Sequence, residues 1–70
     1  MDEIKNIEEL KEIADDIQVV SDGSYGYVVA LFSNVDVEEV VEKITTLKFT
    51  IIFPDLIISE PIEGSLPGWV

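Results

Sequence analysis

The chain has no cysteine, no histidine and no arginine. Without cysteine there are no disulfides, no iron–sulfur clusters and no thiol chemistry. Without histidine, only a carboxylate or a lysine is left to activate a serine or threonine hydroxyl, so the usual nucleophile–base pairs do not assemble. Without arginine there is no guanidinium fork to clamp a phosphate. Positive charge is confined to 4 lysines against 15 Asp and Glu, a net charge of −11. That balance argues against direct binding of nucleic acid or of an anionic membrane surface, because nothing neutralises the phosphates. No apolar run reaches the roughly 18 residues of a membrane span, and the first residues are acidic where a secretory leader is basic. A cytoplasmic location is the expectation.

The remaining routes to catalysis are also poorly served. Two carboxylates run glycoside hydrolysis only across a deep cleft at a set separation, and a chain of 70 residues rarely encloses one. Asp15, Asp16 and Asp22 lack the spacing of an EF-hand calcium loop, and Asp22 reads better as a turn residue. Gly23 and Gly26 flank a hairpin turn instead of forming a phosphate loop. The chain is therefore expected to be no enzyme and to need no cofactor or metal.

What the chain does have is grease and acid, sharply divided. Hydrophobic residues make up 47%, most of them Ile or Val, beside 27% charged residues; with a mean hydropathy of +0.30 this is no disordered acidic tail. Residues 1–70 are expected to form one small domain. At this length only about 60% of the unfolded surface is buried, so stability alone is marginal.

Asp2 to Asp16 (DEIKNIEELKEIADD) carries Ile4, Ile7, Leu10, Ile13, Ala14 and then Ile17 at helical spacing. The expectation is a helix ending near Asp15, capped by Asp2 or by Asn6, the latter closing a capping box with Glu9 and leaving Met1–Lys5 as a lead-in. On such a helix Glu8, Glu12 and Asp15 form one row and Glu9 and Asp16 a second. Like charges one turn apart cost a few tenths of a kcal/mol, roughly, per pair. Asp15 and Asp16 also oppose the macrodipole at the C-terminal end. An acidic ridge that works against its own helix points to a partner.

Ile17–Ser21 reads as a short β-branched strand, and Asp22-Gly23-Ser24 as its turn. Tyr25–Ser33 follows as a strand with Tyr25, Tyr27, Val29 and Leu31 on one face and Val28, Ala30 and Phe32 on the other. Apolar on both faces, it should be central. Asn34–Leu47 is a second helix with Asp36 as N-cap, Glu39 completing the box, and Val37, Val40, Val41 and Ile44 as its buried stripe. Its acids precede Lys43, as the dipole prefers. Lys48–Phe53 is a strand, Pro54-Asp55 a tight turn, and Leu56–Ser59 a second central strand. Glu60–Val70 holds two of the 3 prolines and is expected to be an irregular tail, with Ile62, Leu66 and Trp69 packed rather than solvated.

The order α-β-β-α-β-β defines an α+β fold, a two-layer sandwich of a four-stranded, mainly antiparallel sheet with two helices on one face. It looks like a circularly permuted ferredoxin-like arrangement, because joining last element to first restores β-α-β-β-α-β.

The carboxylates Glu8, Glu9, Glu12, Asp15 and Asp16, together with size and net charge, give the chain a functional resemblance. It resembles the small acidic phage proteins that mimic DNA, whose spacing of one phosphate per about 1.7 Å of duplex axis two carboxylate rows could approximate in part. The resemblance implies an inhibitor in the host cytoplasm that occludes the DNA-binding surface of a basic protein, such as a histone-like nucleoid protein or a nuclease. The competing reading is a structural or antitoxin-like interaction module, on which the acids are only a solvated surface. That module would dock through an apolar sheet face and the C-terminal tail. Since two helices cover one face of a sheet, the other is left bare, and a homodimer or an internal lid should cover it. Tyr25, Tyr27, Phe32, Leu66 and Trp69 are the candidates for that contact.

Overall fold

A computed structural model describes residues 3–63 and 68–69. Its elements run α1 (Ile7–Lys11), β1 (Asp16–Ser21), β2 (Tyr25–Leu31), α2 (Val37–Lys43), β3 (Phe49–Phe53), β4 (Leu56–Ser59) and β5 (Ile62–Glu63). The fold is α+β: an antiparallel sheet in the order β1-β2-β4-β3, with β5 also on β2, and two helices.

β1 and β2 form a hairpin registered from Asp16 opposite Leu31 to Ser21 opposite Gly26. The turn between them is set by Asp22, whose Oδ1 accepts from the Ser24 and Tyr25 amides at 3.0 and 2.9 Å, and by Gly23 at φ +96°, where a Cβ is disfavoured. On its other side β2 pairs first with β4 and then with β5. Between those pairings, from Ile58 to Ile62, β2 advances by one residue fewer, from Val29 to Gly26. β4 and β5 are thus one strand interrupted by a bulge at Ser59–Pro61. Ser59, 5% exposed, closes the gap: its Oγ accepts from the Val28 amide at 2.7 Å. Ser59→Ala would orphan that buried amide, and a loss of about 1–3 kcal/mol is expected in urea melts; an unchanged midpoint would show that the bulge satisfies Val28 by another route.

Alternation now assigns the two faces. Ala30 and Ile57 face the core in register, as do Ser59 and Phe49. There they meet Leu10 from α1 and Val37 and Val40 from α2 in a single buried cluster that also holds Val28, Phe32, Ile4, Ile44 and Trp69. The helical layer is small, and the core-side residues of the edge strands stay partly open: Val19 is 44% and Ile51 39% exposed.

The first helix is much shorter than its periodicity suggests. Asn6 is the N-cap, its Oδ1 accepting from the Glu9 amide at 2.9 Å, so of the two competing starts the later one holds. Before it, Ile4 bridges Ile44 in parallel and its amide donates to the Lys43 carbonyl at 2.8 Å. After Lys11, the Ile13 and Ala14 amides both turn back to the Leu10 carbonyl, and the Asp15 amide donates to Leu31 at 2.8 Å. Sheet pairing captures Asp15 and Asp16, which removes the repulsion and the dipole penalty of a longer acidic helix.

α2 is also shorter at its end. Asp36 caps it through the Glu38 amide at 3.1 Å, and it stops at Lys43 because Ile44 takes an extended conformation and enters the bridge to Ile4. The tail is not simply irregular. Ile62 and Glu63 form β5, and Trp69 is 2% exposed in the core, its ring centroid 5.6 Å from that of Phe49 and its Nε1 donating to Thr46 Oγ1 at 3.0 Å. Leu66 lies outside the described residues.

Candidate functional site

The expected acidic ridge does not assemble. Only Glu8 and Glu9 lie on α1; Glu12 is its C-cap, Asp15 sits in the following bend, and Asp16 opens β1. Lys11 Nζ lies 3.9 Å from Glu8 Oε1, which partly neutralises what is left. The five residues therefore do not form two parallel rows of charge.

The contact residues proposed for a dimer or lid divide in two. Phe32 and Trp69 are 2% exposed and belong to the helix-side core, so neither can meet a partner. Trp69 and Ile62 close the helix side of the sheet, not the bare one. Tyr25 and Tyr27 do lie on the side of the sheet away from the helices, and this face is the candidate site.

Strand register places its residues in rows. At one end Asp16, Leu31, Leu56 and Phe53 lie side by side across β1, β2, β4 and β3. Next come Gln18, Val29, Ile58 and Thr50. Val20 faces Tyr27, and beyond them Tyr25 faces Glu63. Leu31 is 40%, Val20 40%, Tyr25 50% and Phe53 59% exposed, values that leave much of this apolar surface in water. Phe53 reaches the face through an irregularity in β3: register shifts between Ile51 and Phe53, so Phe53, not Ile52, stands opposite Leu56.

Carboxylates rim the patch. Asp16 and the turn residue Asp55 sit at one end, Asp22 and Glu63 at the other. Of the four lysines, Lys5 and Lys11 lie before and in α1, Lys43 ends α2, and Lys48 sits just before β3. The two backbone amides donating to Asp22, Tyr25 first and Ser24 second, hold its carboxyl below the usual value.

At the hairpin end the face dips into a concavity of about 450 Å³ lined by Val20, Ser21, Asp22, Tyr25, Tyr27 and Pro61. A second hollow, about 310 Å³, lies where Gly68 and Trp69 meet Asn6, Ile7 and Glu8. Sequence reasoning missed the first concavity because it joins a turn to Pro61 from another strand; the signal present was the pair of tyrosines two positions apart beside an Asp-Gly turn. Among the described residues no group of three carboxylates is placed to hold a metal ion, and no helix is long and apolar enough to cross a membrane.

No family model matches the chain, and neither a curated protein nor a solved structure is significantly similar to it.

Proposed function

We propose that this chain is a non-enzymatic interaction module that docks a basic-rimmed, apolar-centred protein surface onto the open face of its sheet. The observation that carries the reading is the face itself: Val20, Tyr25, Leu31 and Phe53 exposed together within a rim of carboxylates. A large exposed apolar patch rimmed by polar groups marks a docking surface, and a net charge of −11 favours encounter with a partner of the opposite sign. The strand order β1-β2-β4-β3 supports the permuted ferredoxin-like reading, but a fold of this kind assigns no activity.

The DNA-mimic reading keeps its support from size and net charge, since the two helical rows of carboxylates that also suggested it are not formed. It shares with the docking face the demand for a basic partner and differs in which residues touch it. A second copy of the chain is the other competitor for the face; its carboxylate rim and its own charge of −11 work against it.

Two measurements separate these. Sedimentation equilibrium should return the 7.8 kDa monomer; twice that mass would put a second copy on the face. With the partner in hand, changing Glu8, Glu9 and Glu12 to Gln should alter affinity by no more than about threefold, because exposed charges outside the contact are largely screened at about 0.15 M salt. Binding that disappears with those changes, and vanishes between about 0.05 and 0.5 M salt, would transfer the function to the acidic surface and sink the docking face.

A further inference from the structure

We infer that the concavity at the hairpin end of the open face is a receptor for an arginine side chain of the partner. The inference rests on the docking reading and supplies its anchor. The hollow is lined by Tyr25, Tyr27, Val20, Pro61, Ser21 and Asp22. Tyr25 and Tyr27 project from the same face of β2, and positions two apart on an antiparallel strand are about 6.8 Å apart. Side chains standing side by side at that spacing suit a planar cation, which an aromatic face attracts within roughly 6 Å of the ring centroid.

The apolar wall from Val20 and Pro61 suits the methylene stem of a long basic side chain. Asp22, which also lines the hollow, has its Oδ1 held by the Ser24 and Tyr25 amides, which fixes the carboxylate in place and leaves Oδ2 without one of these two amide donors. Glu63, opposite Tyr25 in the register, adds a second negative charge beside the rings. Arginine fits better than lysine, because its guanidinium is flat, stacks on rings and is more weakly hydrated than an ammonium. Neutral apolar side chains would fill the hollow as well, and what favours a cation over them is the pair of tyrosine rings and the two carboxylates beside it.

The probe is a short blocked peptide, acetyl-Gly-Arg-Gly-amide, titrated into the intact protein at millimolar concentration while the Tyr25 and Tyr27 ring resonances are followed by NMR. Saturable shifts of both rings are expected with the arginine peptide, weaker ones with lysine, and none with citrulline, which keeps the shape and loses the charge. Asp22→Asn retains the turn acceptor while removing the charge, and should weaken binding about threefold; Tyr25→Ala should weaken it about tenfold. Phe53→Asp, at the far end of the face, should leave the peptide's affinity unchanged while it removes docking of the partner. Equal shifts with citrulline or norleucine peptides would overturn the arginine assignment in favour of an apolar anchor. Absence of any saturable shift would overturn the receptor itself, and retention of partner docking in that case would leave the docking face standing.

Discussion

Trp69→Ala is expected to remove about half of the fold's stability. The indole is 2% exposed, sits against Phe49 at 5.6 Å and donates to Thr46 Oγ1 at 3.0 Å. Removing a buried ring of this size costs about 3–5 kcal/mol through lost transfer energy and the cavity left behind. A domain of 70 residues, at about 0.05–0.15 kcal/mol per residue, has only some 3.5–10 kcal/mol in total. The residue also anchors its neighbour: the Gly68 carbonyl accepts from the Ile7 amide, a first-turn donor of α1, at 2.7 Å. Gly68 itself has φ +86°, and a Cβ there would lie 2.6 Å from Asn6 Cβ, so the joint between tail and helix admits only glycine. Circular dichroism in a urea titration measures the effect without relying on the lost fluorophore. Trp69→Phe, which keeps a ring and loses the N–H donor, should cost markedly less. An alanine variant melting within about 1 kcal/mol of the parent would mean that the tail contributes little to the core.

The tail shows where the sequence stops being informative. Trp69 could be recognised as a residue that would not stay in solvent, but hydrophobicity names no address. The bare sheet face and the helix side were equally open to it, and the choice fell to Thr46 and Phe49, some twenty residues away along the chain. Phe32 illustrates the same point from the other direction: alternation placed it correctly with Val28 and Ala30, opposite Tyr25 and Tyr27, and that placement puts it in the core.

Local chemistry was legible wherever a side chain acts on its own backbone. Asn6 and Asp36 are the caps that their types indicate, Asp22-Gly23 makes the hairpin turn, and Leu56–Ser59 is a central strand, between β2 and β3. Periodicity was legible only as burial. Ile4, Ile7, Leu10, Ile13, Ala14 and Ile17 all lie in or against the core, as their spacing required, yet only Ile7 and Leu10 are helical. A bridge, a short helix, a turn and a strand can present the same positions inward as one long helix, and long-range bonds to Lys43 and Leu31 decide between them. The acidic ridge fell with the helix that would have carried it. The open face survived because period-two alternation in β2 does not depend on what the neighbouring elements do, although Phe53 joined it through a bulge that no alternation rule anticipates.

Phe53 therefore offers the sharpest test of what the face does. It is 59% exposed at the outer end of the row formed with Leu56, Leu31 and Asp16, so replacing it should leave the fold within about 1 kcal/mol of the parent, as surface substitutions usually do. Docking should respond far more. Burying a phenylalanine side chain is worth about 1.5–3 kcal/mol, and a charge put in its place must be desolvated against the partner. A loss of about a hundredfold in affinity, near 2.7 kcal/mol, is the expected result in titration calorimetry. The sign of the charge then separates the apolar contact from simple attraction between opposite fields. Phe53→Lys and Phe53→Asp should both lose binding if the ring seats in the partner, since either charge is stranded there. If attraction alone held the complex, Phe53→Asp would bind a basic partner as tightly as the parent or tighter, and only Phe53→Lys would fail. That second pattern would return the function to the carboxylates and reduce the apolar face to a bystander.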